Sequence, residues 1–149
     1  MPDRDILDLE HFLPYRLSVL SNRISQDIAR LYAERFDLGV TEWRLLAVLG
    51  RYPGLSASEL AERTAMDKVA VSRAVASLLA AGRITRDTHG ADRRRSVLEL
   101  SEEGQRVYAE VAPAALAYER RLLSNLSAGD RAALARLVDL LGAAEEKTK

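Results

Sequence analysis

The chain of 149 residues contains no cysteine. Disulfide bonds, thiolate metal sites and thiol redox switches are therefore excluded. Glycine (8 residues), proline (4 residues) and aromatic residues (5%) are scarce, which leaves few chain breakers. No apolar run is long enough to span a bilayer, and the N-terminus lacks the basic and apolar regions of a signal peptide. We therefore expect a cytoplasmic protein.

Charge of one sign is not in excess either, because 22 Lys and Arg residues balance 22 Asp and Glu residues. A zero sum argues against nucleic-acid binding, since duplex binding usually needs a basic footprint. Hydrophobic residues make up 48% of the chain and charged residues 30%, enough for a core with a solvated surface. Long runs rich in Ala, Leu, Glu and Arg favour helix, because these residues lose little rotamer freedom there.

Local signals predict four helices in the first part of the chain. The first begins at Pro14, and Thr41 can cap the second. Ser56 and Glu59 form a capping box that opens a short third helix. Asp67 can cap the fourth, which carries an apolar stripe and ends at a C′ glycine, Gly82.

After Gly82 the apolar residues no longer recur at helical spacing. The pattern of residues 84–87 and 96–100 predicts two short strands joined as a hairpin. Ser101 and Ser127 open two further helices. We therefore expect a mostly α fold with a small β-hairpin wing, namely a winged helix-turn-helix with N- and C-terminal dimerisation helices. The predicted domains are a helical dimerisation region at 1–36 and 102–145, a DNA-binding lobe at 37–101 and a polar tail at 146–149. A homodimer would bury the long outer stripes.

The turn at 64–66 between the third and fourth helices predicts a helix-turn-helix, whose second helix enters the major groove. The core stripe of that helix leaves Lys68, Val69, Ser72 and Arg73 facing outward, where they can meet base edges or phosphate. The alternative is an ordinary surface face with one stray valine. Ser56 and Ser58, at the start of the preceding helix, complete the candidate DNA contacts of the two helices.

The predicted wing carries three adjacent cations, Arg93, Arg94 and Arg95, after a turn. They suit phosphates or a narrow minor groove, and Asp92 can pair with one of them. The alternative is a solvated basic loop. From residue 63 to residue 95, eight cationic and three acidic residues leave about +5, eight minus three, in a chain that sums to zero. The basic residues thus cluster where the motif predicts DNA.

At this point the sequence resembles the MarR family of winged-helix regulators. The resemblance rests on TEWRLL at 41–46, LAERTAMDKVAVSR at 60–73, LLAAGRITR at 78–86 and DRRRSVLELS at 92–101, the last matching the family's D-x-R wing signature. It implies a homodimeric repressor on a pseudo-palindromic operator, with Arg94 in the minor groove and Asp92 positioning it. It also implies a small phenolic or aromatic-acid effector, or its CoA thioester, bound between the dimerisation helices and the DNA-binding lobe.

Four residues are candidate effector ligands. Arg16 can hold a carboxylate, His11 or Tyr15 can bond a phenol hydroxyl, and Trp43 can stack on a ring. The alternatives are core packing for Trp43, a salt bridge for Arg16 and a solvated His11.

Two functions other than regulation are the alternatives for this sequence. One is a winged-helix protein-interaction module without DNA or ligand function, since fold does not dictate function. The other is an enzyme, for which no catalytic constellation stands out, so we expect no catalysis. With only His11 and His89 and no cysteine, no metal site or cofactor is predicted.

Overall fold

The computed structural model describes residues 5–88 and 96–149. After a 3₁₀ turn at Leu9–His11, the elements are α1 (Leu13–Ala29), α2 (Ala33–Phe36), α3 (Val40–Arg51), α4 (Ala57–Thr64), α5 (Lys68–Ala80), β1 (Ile84–Thr88), β2 (Ser96–Leu100), α6 (Glu102–Leu122) and α7 (Ala128–Lys147). This order confirms the predicted fold class, mostly helical with one antiparallel hairpin.

The hairpin has the register that the alternating pattern requires. Ile84 pairs with Leu100 at its base and Thr88 with Ser96 at its far end. One contact was not predicted: Leu55, ahead of α4, forms an isolated antiparallel bridge with Leu98. The Leu98 N–H donates to the Leu55 carbonyl at 2.8 Å, and Leu98 is fully buried. The wing is thereby anchored to the segment that leads into α4.

The core lies between α3, α4, α5, the hairpin and the first half of α6. Helices α3 and α5 pack against each other, and α5 contacts both α4 and β1. Apolar side chains from each element meet there, as their helical and strand periods predict: Leu45, Leu46, Leu49, Leu60, Val71, Val75, Leu78, Ile84, Leu98, Val107 and Val111.

The start of α3 differs from the prediction. The N-cap is Gly39, not Thr41, and the Glu42 carboxylate accepts from the Gly39 N–H at 3.1 Å. A side chain from inside the first turn thus satisfies an N–H that a serine-type cap cannot reach. Helix α1 ends at Ala29, and Asp37 adopts a left-handed φ of 51° where the chain turns into α3.

The helix-turn-helix follows its sequence signals closely. Ser56 and Glu59 form the predicted capping box, in which the Ser56 Oγ accepts from the Glu59 N–H at 3.1 Å. Ala65 takes a left-handed φ of 53° at the end of α4. The Asp67 carboxylate then accepts from the Ala70 N–H at 3.1 Å and opens α5. These caps explain why two such short helices meet at a defined turn.

The entry into α6 is unusually close-packed. The Ser101 Oγ accepts from the Gly104 N–H at 3.0 Å and donates to the Gly82 carbonyl at 2.6 Å. A β-carbon at Gly104 would lie 1.9 Å from the Arg83 carbonyl oxygen. Only glycine allows the backbones of α6 and the α5–β1 connection to approach this closely.

The chain divides into two compact units, one ending at Pro113 and the other spanning Ala114–Lys149. Helix α7 lies in the second unit, and the Ser127 Oγ caps it by accepting from the Asp130 N–H at 3.0 Å. The helix continues to Lys147, into the segment expected to be a polar tail. The predicted division into a lobe and a dimerisation region remains a prediction.

Candidate nucleic-acid interface and effector cleft

Helix α5 presents two chemically distinct faces. Val71, Ala74, Val75 and Leu78 are buried in the core. The outward face carries a row of exposed side chains, the four that the sequence predicted as DNA contacts: Lys68, Val69, Ser72 and Arg73. Val69 is 56% exposed. The face therefore offers cationic, hydroxyl and apolar groups together, the mixture that base edges and phosphates can bind.

A polar groove borders the N-terminus of α4. It has a volume of about 720 Å³ and is lined by Gly54, Ser56, Ala57, Ser58, Glu59, Ser96 and Val97. Both predicted contacts in this region, Ser56 and Ser58, therefore line the groove. Free N–H groups at a helix N-terminus favour anions such as phosphate. The Glu59 carboxylate partly occupies that position, because its Oε1 accepts from the Ser56 N–H at 3.3 Å.

The predicted wing residues Asp92, Arg93, Arg94 and Arg95 lie outside the described residues. The strands on either side of them are described, and Ser96 opens β2 at the rim of the groove.

A second, apolar cleft lies between α1 and α3 in the first unit. Its volume is about 460 Å³. The lining is Leu17, Leu20, Ser21, Ile24, Ser25, Ile28, Tyr32, Val40, Trp43 and Arg44. Most of this surface is hydrocarbon or aromatic, and Arg44 is the cationic member of the lining, which makes it the group best placed to select an anionic ligand.

The polar part of the cleft is held in place by a direct contact. The Arg44 guanidinium donates to the Ser25 Oγ at 2.7 Å, so α3 is linked to α1 across the cleft. The Tyr32 and Trp43 rings pack at 5.6 Å with a tilt of 30°, and Trp43 also stacks on Tyr108 at 6.2 Å. A guanidinium on a fixed support beside aromatic rings can bind a planar carboxylate.

Burial raises the pKa of the Tyr32 hydroxyl above its ordinary value, and the positive charge of Arg44 partly offsets this. The two causes act in opposite directions because burial disfavours the phenolate while a nearby cation stabilises it. Arg44 is therefore electrostatically coupled to the aromatic wall of the cleft.

Of the four predicted effector ligands, the structure brings one to the cleft. Trp43 lines it, whereas His11, Tyr15 and Arg16 are exposed and are not part of its lining. The His11 Nδ1 instead lies 2.8 Å from the Asp8 carboxylate. Sequence reasoning missed Arg44, whose signal was its position next to Trp43 on a helix with four buried residues.

Among residues 5–88 and 96–149, no three His, Asp or Glu side chains lie close enough to hold a metal ion. Within the same ranges, no helix is both long and apolar enough to cross a membrane.

A capped helix-turn-helix with an outward cationic face, followed by an antiparallel hairpin, defines a winged helix-turn-helix DNA-binding protein. The MarR family model matches residues 36–95. The chain is 31% identical over 112 residues to a Thauera aromatica protein named as a transcriptional regulatory protein for the hcr operon, covering 74% of this chain and 68% of that one. The chain belongs to the MarR family and is a DNA-binding transcriptional regulator, not an enzyme.

Solved structures agree with this assignment. A MarR/EmrR family regulator from Acinetobacter sp. ADP1 superimposes with a TM-score of 0.87 at 26% identity, covering 95% of this chain and 99% of that one. Streptococcus pneumoniae FabT, solved in complex with DNA, shares the fold with a TM-score of 0.75 at 21% identity, covering 95% of this chain and 100% of FabT.

Proposed function

We propose that this regulator is a ligand-responsive repressor that binds a pseudo-palindromic operator as a homodimer in the cytoplasm and is released by a small aromatic acid. The observation that carries the proposal is the position of Arg44, which lies in an apolar cleft on α3, the helix that packs against the recognition helix α5. A ligand site and a reading surface thus share one helix pair.

The proposed DNA contacts divide by chemistry. Lys68, Ser72 and Arg73 can donate to base edges or phosphates, and Val69 can meet a thymine methyl. Ser56 and Ser58 can contact the DNA phosphate backbone at the polar groove beside α4. From the family resemblance, Arg94 enters the minor groove, Asp92 orients it, and Arg93 and Arg95 contact phosphates.

The proposed dimer rests on apolar side chains left exposed on the outer helices. Leu17 and Leu20 on α1 are 47% and 52% exposed, and Leu137 and Val138 on α7 are 49% and 59% exposed. Exposed apolar area of this kind marks an interaction surface. Two-fold pairing through 1–36 and 102–145 would cover it and would present two copies of α5 to two half-sites.

The proposed effector carries a ring and a carboxylate. The ring would stack on Trp43, and the carboxylate would accept from Arg44 beside Ser25. A CoA thioester of the same acid lacks that carboxylate, so the cleft favours the free acid over the thioester. The earlier candidates His11, Tyr15 and Arg16 have no comparable support within the cleft.

The DNA-binding part is tested with Arg94→Ala, using the operator recovered by selecting genomic fragments on the purified protein. We expect operator affinity to fall by about 5- to 150-fold, the effect of losing about 1–3 kcal/mol of contact. Arg30→Ala is the matched control, because the Arg30 side chain is 80% exposed and its ion pair is with Asp27, three positions away in the chain. Equal affinity of the parent and Arg94→Ala would refute the wing assignment. Failure of the selection to enrich any sequence would favour the protein-interaction module.

The effector part is tested with benzoate, its neutral isostere benzamide and benzoyl-CoA, by thermal shift and by release of operator DNA. We expect benzoate alone to act on both readouts. Arg44→Met should weaken benzoate binding by about tenfold or more, because the charged anchor is lost while the apolar stem remains. Arg16→Ala is the matched comparison. A loss in Arg16→Ala without one in Arg44→Met would move the site to the exposed N-terminal cluster, and benzamide acting as well as benzoate would contradict the anion anchor.

A further inference from the structure

A hydrogen-bonded link joins the effector cleft to the recognition helix. One carboxylate oxygen of Glu42 accepts from the Gly39 N–H at 3.1 Å, and the other accepts from the Ser77 hydroxyl at 2.9 Å. Gly39 is the N-cap of α3, and Ser77 lies in the C-terminal half of α5. A single side chain therefore ties the beginning of α3 to α5.

The cleft residues of α3 surround Glu42 in sequence. Val40, Trp43 and Arg44 all line the cleft, whereas the Glu42 side chain extends away from it to Ser77. Any shift of the first turn of α3 that accommodates a ligand must move Glu42 as well, because all four residues belong to the same helical turn and a half. Glu42 is thus placed to pass that shift to α5.

The other end of the link lies one helical turn from the reading face. Ser77 and Arg73 are four residues apart on α5, so they are neighbours on the helix surface. Both side chains are exposed, while the opposite face of α5 is buried in the core. Apolar packing against that core is non-directional and tolerates small sliding, whereas a hydrogen bond requires a defined distance and angle.

We infer that Glu42 and Ser77 are positioning residues that couple occupancy of the α1–α3 cleft to the orientation of α5 on DNA. This inference rests on the proposed function for its effector and on the family's DNA binding for its other end. Coupling of this kind is reciprocal, so operator bound to α5 must change the affinity of the cleft for its ligand by the same factor. A displacement of α3 that changes this affinity also changes the surroundings of Trp43, so the link is testable without any effector.

Trp43 provides the readout, because it is the single tryptophan of the chain and it lines the cleft next to Glu42. Operator DNA is titrated while Trp43 emission and the anisotropy of labelled operator are recorded together. We expect a change in Trp43 emission at saturation in the parent, loss of most of that change in Ser77→Ala, and its recovery in Ser77→Thr, which keeps the hydroxyl. Ser124→Ala is the matched control, since the Ser124 hydroxyl donates to the Arg121 carbonyl three positions away.

A second measurement uses benzoate as the probe. In the parent it should weaken operator binding by roughly 5- to 150-fold, the range of ordinary coupling energies, and in Ser77→Ala by much less, with benzoate affinity for the DNA-free protein unchanged. If benzoate releases no operator from the parent, the effector part of the proposed function fails, while the Trp43 response to operator still tests the link. An emission change that is equal in the parent and Ser77→Ala, or absent from the parent at saturation, overturns the inference.

Discussion

Helices α5 and α7 are both rich in apolar residues, yet the apolar stripe of α5 is largely buried and the large apolar side chains of α7 are exposed. Helix α5 buries four side chains in the core of the lobe, whereas α7 buries none in the described chain. Leu134, Leu137, Val138, Leu140 and Leu141 of α7 are all 44–59% exposed. The comparison shows that helix-forming sequence and apolar content do not by themselves make a core. A helix is stabilised where a second surface covers its apolar stripe, and in the proposed homodimer the partner would supply that surface to α7.

The largest expected effect on stability comes from adding a β-carbon where the backbone is tightly packed, compared with adding one in α7. Gly104→Ala places a β-carbon 1.9 Å from the Arg83 carbonyl oxygen, so α6 must move away from the lobe. We expect the free energy of unfolding to fall by about 3 kcal/mol or more, measured by chemical denaturation. Gly142→Ala in α7 is the control: nothing lies within 4 Å of its β-carbon, and removing a helical glycine should stabilise the protein by about 0.5–1 kcal/mol. A free energy of unfolding that is unchanged in Gly104→Ala would disprove the close approach of α6 to the Arg83 carbonyl.

A smaller effect tests the comparison through side chains. Leu78→Ala removes a fully buried side chain, so we expect a loss of about 2–3 kcal/mol in the free energy of unfolding at every protein concentration. Leu137→Ala removes one that is 49% exposed in the single chain, and its cost should appear as weaker self-association in sedimentation velocity. If Leu137→Ala leaves self-association unchanged, α7 is not the proposed interface.

The smallest expected effect is the change in stability at high pH caused by Tyr32, which lines the cleft. Burial raises the pKa of Tyr32, so the folded protein holds that proton more tightly than the unfolded chain does. The resulting stabilisation is complete below the ordinary tyrosine pKa and is lost as pH rises through the raised value. Tyr32→Phe should therefore lose less stability than the parent above about pH 10. Arg44→Met should raise the pKa of Tyr32 further. The titration of Tyr32 is followed by tyrosinate absorbance, with Tyr32→Phe as the reference that lacks this hydroxyl. A lower pKa in Arg44→Met would contradict the proximity of the two groups.

The outward face of α5 was predictable because its signals are local. Capping at Ser56 and Asp67 and the apolar period through Val71 and Val75 suffice to orient α5, and the exposed residues follow by elimination. The cleft was only partly predictable. Trp43 was recognised, but nothing local to Arg44 states that Ser25, nineteen positions away, would hold its guanidinium. The predicted cap at Thr41 was wrong for a related reason, since Glu42 supplies the contact from within the helix.

The sequence by itself determined the class of fold, the family and which face of α5 is exposed, because turn chemistry, capping and periodicity act over a few residues. Only the tertiary structure decided which side chains of α1 and α5 contact α3. The Arg44–Ser25 contact and the Glu42–Ser77 link each join residues far apart in the chain, at 2.7 and 2.9 Å. Such contacts depend on how helices pack, and packing geometry is set by the whole core rather than by any short segment.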